Sequence, residues 1–248
     1  MKILTVNINK GGPGKTTFAH NFAEYLAKKY RVLLMDFDDS ANLTGRYTSD
    51  LAEENSITAI FDEKEVTPLT ISPNLDLIGS DSGVERLKER QATKRRREYA
   101  LGKWLAKNED WLTQRYDYVI IDTENDEGIL TINALIVSDV VIGIAEPSKD
   151  AAKALVALKR FVADLNDDFS AQARLYFIAN RVNFSENASK DFLASLSERD
   201  DYLGYLPRRT VLGDDVAVIN NPNTPKALLE QVETLFETIK TQLDKEAA

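Results

Sequence analysis

Short apolar runs rich in β-branched residues alternate along the chain with stretches whose apolar positions recur at helical spacing. The opening "MKILTVNI" predicts a buried strand. Phe18, Phe22 and Leu26, four apart, predict a helix over about 17–29. Further strands are expected at "RVLLMDF" (31–37), "YDYVIIDT" (116–123), "VVIGIA" (140–145), "RLYFIANRV" (174–182) and the short "YLGYLP" (202–207). Helical patterns cover roughly 82–107, 128–137, 148–166, 186–199 and 225–244. Strands that alternate with helices mean an α/β fold with a mostly parallel, helix-covered sheet. Trp104 and Trp111 are read as packing the amphipathic end of the long 82–107 helix, and the lone His20 as packing or surface.

Between the first strand and the first helix stands "NINKGGPGKTT", residues 7–17. Strand, glycine loop and helix is the context that makes a P-loop credible. Gly11, Gly12 and Gly14 let the backbone wrap a phosphate closely, and amides at the helix start point at it along the favourable end of the dipole. Pro13 offers no donor. Lys15 would neutralise the β- and γ-phosphates and the Thr16 hydroxyl would hold a magnesium ion, with Thr17 beside them. Lys10, five residues earlier, is one lysine more than such a loop needs.

Two strands end in aspartate. Asp36 and Asp38 alternate with Phe37 at the end of the second strand, where ligands bind in open α/β sheets. One of them can orient a water for attack on the γ-phosphate and the other can assist magnesium, while Asp39 and Ser40 read as helix caps. Asp122 closes the 116–123 run as a Walker B carboxylate does, reaching magnesium directly or through water. Asn180 and Arg181 end a later strand, and Pro207 and Arg208 follow another. An amide at such a place reads an adenine edge or forms a turn.

Composition narrows the classes. The 248 residues, 43% hydrophobic, suffice for one α/β domain spanning 1–248, with no linker, repeat or low-complexity tract. No apolar run is long enough for a membrane span, no signal peptide precedes the first strand, and a cytoplasmic protein is expected. The absence of cysteine excludes disulfides and cysteine-held clusters. A net charge of −9 argues against a chain that is basic throughout, yet residues 85–107 carry nine Lys/Arg against Glu85, Glu89 and Glu98. Lys94, Arg95, Arg96 and Arg97, successive on the expected long helix, are the candidate contacts for DNA phosphates.

K-G-G-x-G-K-T-T at residues 10–17 is similar to the deviant Walker A signature of the ParA/MinD group of ATPases, and the resemblance continues through "LLMDFD", "ANLT", "YDYVIIDT" and "NRV". It implies a P-loop fold with a sheet of seven or eight strands and helices on both faces, and ATP/ADP with Mg2+ as cofactors. It also implies roles. Lys10 resembles the signature lysine that reaches the phosphates of the other subunit, Asp38 the catalytic aspartate, and Asp122 the Walker B aspartate. Asn180 falls where the family contacts adenine, and Pro207–Arg208 match its base-flanking loop. The resemblance further implies DNA contacts in the C-terminal half, and only through it do Arg208, Arg209 and Lys226 compete with residues 94–97. Two departures stand out. Asp39-Ser40 replace the family's Pro-Gln, and Thr123-Glu124-Asn125-Asp126-Glu127 replace its Thr-Pro-Pro. Extra acids raise the negative potential beside a triphosphate and bear on the hydrolysis rate, while leaving nucleotide binding intact.

Within the group, the acidic C-terminal segment lacks the basic face of a membrane-binding helix, and cysteine-dependent relatives are excluded. The chain resembles the short ParA/Soj-like type, without a preceding helix-turn-helix domain. The expected function is a DNA-segregation ATPase: an ATP-dependent homodimer on nonspecific DNA, nucleoid-associated when ATP-bound, slow alone and stimulated by a ParB-like centromere-binding partner. The alternative is a low-turnover dimer switch that positions another cargo.

Overall fold

The computed structural model describes residues 1–8, 12 and 14–246. Eight strands form one sheet: β1 (Lys2–Asn7), β2 (Val32–Phe37), β3 (Leu69–Ser72), β4 (Leu75–Ile78), β5 (Tyr118–Thr123), β6 (Val140–Ala145), β7 (Arg174–Val182) and β8 (Tyr202–Pro207). Their order is β3-β4-β2-β5-β1-β6-β7-β8. All neighbours run parallel except β3, which pairs antiparallel with β4 at the edge. The mostly parallel α/β sheet expected from the pattern is present. β3 and β4 are additions, each four residues long and separated by a tight turn at Pro73–Asn74, too short to carry a periodic signal.

The helices are α1 (Lys15–Ala27), α2 (Ile57–Phe61), α3 (Val84–Gln91), α4 (Ala100–Lys107), α5 (Glu109–Arg115), α6 (Ile129–Ile136), α7 (Ala151–Phe169), α8 (Asn187–Ser197) and α9 (Lys226–Glu246). They cover both faces. In β1 the pleat sends Leu4 and Val6 to one side, where Phe18 and Phe22 of α1 meet Phe236 of α9 with ring centroids 5.7 and 5.2 Å apart. Ile3 points the other way, into the core beneath α2 to α6. The strands on the β6–β7 side are covered by Leu155, Leu158 and Val162 of α7 and by Phe192 and Leu196 of α8.

The single long helix expected over 82–107 is not there. Its place is taken by α3, a turn, one turn of 3-10 helix (Arg97–Tyr99) and α4. Arg96 sits in the left-handed region at φ 55°, which ends any continuous helix. The buried Asn133 of α6 completes the break: its Nδ2 donates to the Arg97 carbonyl at 2.9 Å, and its Oδ1 accepts from Leu101 N at 2.9 Å. The Arg97 carbonyl and the Leu101 amide in the first turn of α4 are thereby each given a side-chain partner. Trp104 lies on α4, but Trp111 lies on α5 and is 37% exposed, stacked edge-on against Tyr116. His20 is core, not surface, with its Nδ1 2.9 Å from the Tyr47 hydroxyl.

Candidate functional site

The carboxyl ends of β1, β2 and β5 meet at the start of α1. Gly14, immediately before α1, holds φ 94°, a conformation glycine adopts at little cost. A side chain there would meet a second obstacle, because a Cβ would stand 2.3 Å from Asn180 Nδ2. Asn180, near the end of β7, is buried, and its Oδ1 accepts from Arg181 N at 2.9 Å. The amide is thus brought against the glycine loop. Lys10 and Gly11 lie outside the described residues.

Lys15 is 5% exposed, and its ammonium is hydrogen-bonded to Asn125 Oδ1. Burial pulls its pKa below the ordinary lysine value, while Asp122, Asp38, Glu124 and Asp126 draw it back up. Asp36 and Asp122 are register partners across β2 and β5, both fully buried. Their surroundings differ. Asp36 Oδ2 accepts from Thr44 N at 2.8 Å and Thr44 Oγ1 at 2.7 Å, and its Oδ1 accepts from Asp38 N at 3.1 Å. Neither oxygen of Asp122 has such a partner among the described residues. Burial, then the nearby Asp36 charge, push Asp122 up to about 8, with the Thr16 hydroxyl and Lys15 opposing. Burial raises Asp36 to about 6, against the bonds from Thr44.

A buried carboxylate without donors beside a threonine hydroxyl is a place where a divalent cation fits. Among the described residues no group of three His, Cys, Asp or Glu could hold a metal alone. The fit is therefore to magnesium that brings phosphate oxygens and water with it, as the cation does at phosphate sites. Asp36, read from sequence as a candidate ligand, is already committed to Thr44.

Asp38 is 7% exposed, and its Oδ1 accepts from Ser40 N at 2.9 Å, which closes a tight turn. The expectation that Asp39 and Ser40 cap a helix is overturned. No helix starts there, since the first helical turn downstream is Thr44–Arg46. Asp39 instead accepts from Lys88 Nζ at 2.8 Å, and the same ammonium is paired with Glu124. Lys88 is the residue that sequence reading misses. In the sequence it is one of a basic stretch, and nothing in spacing marks a contact across 49 residues.

Arg181 and Arg208 gather on the acids at the far side of the site. Arg181 Nη1 is 3.2 Å from Glu146, and Arg208 reaches Glu186 at 3.0 Å and Glu146 at 4.0 Å. Pro207 ends β8, and the Arg208 amide donates to the Val182 carbonyl at 2.9 Å. Arg209 is exposed, and its guanidinium donates to the Arg208 carbonyl.

The basic stretch is a separate place. Residues 94–97 wrap a cavity of about 250 Å3 with Lys103, Trp104 and Lys107. Lys94 donates to the Phe61 carbonyl, and Arg97 to the Ala92 carbonyl and Glu98. Arg95, Arg96, Lys103 and Lys107 enter no ion pair among the described residues. No described helix is long and apolar enough to cross a membrane.

A glycine-started helix with a buried lysine, facing aspartates at the ends of two parallel strands, defines a P-loop nucleotide-binding enzyme. The AAA domain family matches residues 1–175. Over 179 residues the chain is 34% identical to a ParA family protein of Chlamydia pneumoniae, a match covering 67% of each. A plasmid partition protein of Borrelia burgdorferi has the same fold, with TM-score 0.82 at 26% identity over 97% of this chain and 98% of that one. A second Borrelia burgdorferi structure, bound to AMPPNP, superposes with TM-score 0.83 at 27% identity over the same shares. The chain belongs to the AAA domain family and, within it, to the ParA-type P-loop ATPases.

Proposed function

We propose that this chain is a DNA-partition ATPase that dimerises on ATP, binds nonspecific DNA as the dimer, and is turned over by a ParB-like centromere-binding partner. The observation that carries the reading is the meeting of Gly14, Lys15, Asp38 and Asp122 at one end of the sheet. In this reading Gly11, Gly12 and Gly14 cradle the phosphates with the amides of Thr16 and Thr17, and Lys15 leaves Asn125 for the β- and γ-oxygens. Thr16 and Asp122 hold Mg2+, which when bound neutralises charge developing on those oxygens. Asp38 orients a water on the γ-phosphorus. The water oxygen forms the new bond, the bond to the β–γ bridging oxygen breaks, and ADP and phosphate leave. Lys10 acts from the second subunit, as an added cation over the transferred group. Asn180, Arg181, Pro207 and Arg208 flank the base.

DNA contacts are assigned to Lys94, Arg95, Arg96 and Arg97, with Arg208 and Arg209 as the second surface. The cytoplasm and nucleoid are the expected location. A low-turnover switch for another cargo draws its support from the acids at 39 and 124, but their pairing with Lys88 removes much of that support.

The test is ATP turnover with and without nonspecific duplex DNA, in the wild type, Lys15→Ala and Lys10→Ala. Slow turnover is expected in the wild type. Lys15→Ala is expected to lose ATP binding, and Lys10→Ala to bind ATP without dimerising. Near-normal ATP affinity in Lys15→Ala would overturn the site.

A further inference from the structure

Two of the acids by which this chain departs from its family, Asp39 and Glu124, are joined by one lysine. Lys88 Nζ lies 2.8 Å from Asp39 Oδ2 and also pairs with Glu124 Oε2. The three side chains are 24%, 33% and 22% exposed, so the contact is half-buried and not a rim pair. Each acid is next in sequence to a residue of the site. Asp39 follows Asp38 inside the turn closed by the Ser40 amide. Glu124 precedes Asn125, which takes the Lys15 ammonium. Asp39 comes from the loop after β2, Glu124 from the loop after β5, and Lys88 from α3. That helix is pinned from behind by buried Val84, Leu87 and Gln91, whose Nε2 donates to the Phe61 carbonyl at 3.2 Å. A rigid element therefore delivers the ammonium between two loops that have no strand pairing to each other.

We propose that Lys88 is a positioning residue for ATP hydrolysis: it ties the Asp38 turn to the Asn125 loop and cancels charge that Asp39 and Glu124 would otherwise set against the triphosphate. This rests on the ATPase reading above. Two carboxylates share one cation, so without it they repel each other and the neighbouring Asp38, Asp122 and Asp126, and both loops move outward. Asp38 would then stand at the wrong distance from the attacking water, a displacement that costs rate more than affinity.

The experiment compares wild type, Lys88→Met and Lys88→Arg in three readouts: kcat and KM for ATP, melting temperature, and hydrogen exchange of the amides in 38–42 and 124–128 without nucleotide. For Lys88→Met, kcat is expected to fall about tenfold or more with KM changed less than about threefold, and both loops to exchange faster. Lys88→Arg is expected to recover kcat to within about threefold, because a second cation on the same stem can bridge both acids. Unchanged kcat, or a lower melting temperature with unchanged kcat and unchanged loop exchange, would overturn the proposal. If Lys88→Met does not fold, Asp39→Asn with Glu124→Gln removes the tie from the acid side, and unchanged exchange in both loops would overturn it equally. A wild type without ATP turnover would sink the ATPase reading itself, and the exchange comparison would still decide whether Lys88 holds the loops together.

Discussion

Asp36 and Asp122 stand side by side on β2 and β5; Asp36 accepts from the Thr44 amide and hydroxyl, while among the described residues neither Asp122 oxygen has a donor at hydrogen-bonding geometry. One carboxylate is satisfied inside the protein and the other is not. Replacing them should therefore move stability in opposite directions. Asp122→Asn is expected to raise the melting temperature of the ligand-free protein at neutral pH by roughly 3 °C or more, since it removes a buried carboxyl, pushed up to about 8, that the unfolded chain ionises and folding must protonate. The same variant is expected to lose most of the stabilisation that Mg-ATP gives the wild type. Asp36→Asn is expected to cost about 1–3 kcal/mol, because the Thr44 amide and hydroxyl lose a charged acceptor. Thermal melts with and without Mg-ATP decide it, and a destabilised ligand-free Asp122→Asn would refute the assignment.

Much of this was legible in the chain. β2 and β5 are uninterrupted apolar runs, so both their existence and their terminal aspartates follow from pattern. The glycine loop before Phe18, Phe22 and Leu26 likewise places Lys15 at a helix start. The difference in surroundings between Asp36 and Asp122 was not legible, because it depends on Thr44, eight residues on and at the start of a single 3-10 turn. The break at 92–99 was hidden for a related reason. Helical spacing continues through it, and the break shows only in the left-handed backbone of Arg96 and in Asn133, 36 residues from Arg97, bonding that residue's carbonyl. Tertiary contacts made by single polar side chains leave no period in the sequence.

Gly14→Ala tests the loop. Its φ of 94° disfavours any Cβ, and the added methyl would sit 2.3 Å from Asn180 Nδ2. The side chain of Asn180 or the start of α1 must shift. The expected cost is about 1–3 kcal/mol, with ATP affinity reduced at least tenfold because the amides no longer face the phosphates. Urea titration and equilibrium ATP binding measure the two, and wild-type affinity in Gly14→Ala would contradict the placement of the phosphates.

His20 gives an acid limb to stability. Burial, helped by the Arg46 charge, lowers its pKa from 6.5 to about 4. The unfolded chain takes up this proton below about 6.5, but the folded protein resists it until about 4. Stability held above pH 6.5 is therefore lost as pH falls through that window, by up to about 3 kcal/mol from this residue. His20→Gln removes the proton and should flatten the loss. Comparing urea midpoints of both proteins at pH 7 and pH 4.5 checks this, and an equal drop in each would show that His20 does not drive it.

The cationic turn carries the last prediction. As a helix, Lys94 to Arg97 would splay around an axis and no partner could meet them together. In the turn they surround one cavity with Lys103 and Lys107, and of these six cations only Arg97, on Glu98, has a carboxylate mate among the described residues. The chain is acidic overall at −9, so an unpaired cluster of this size is not explained by solubility alone. Arg208 is the weaker competitor, because Glu146 and Glu186 already hold it. Changing residues 94 to 97 to alanine is expected to weaken ATP-dependent binding to nonspecific duplex DNA about tenfold or more at low salt. It should also reduce the log–log salt slope by about 0.9 for each phosphate that is no longer neutralised. Arg209→Ala is expected to change the slope by no more than about one such unit. Mobility shifts at two salt concentrations, with ATP present, separate the surfaces. If the four-alanine variant keeps the wild-type affinity and slope while Arg209→Ala loses both, DNA lies on the β8 side and the turn is solvated.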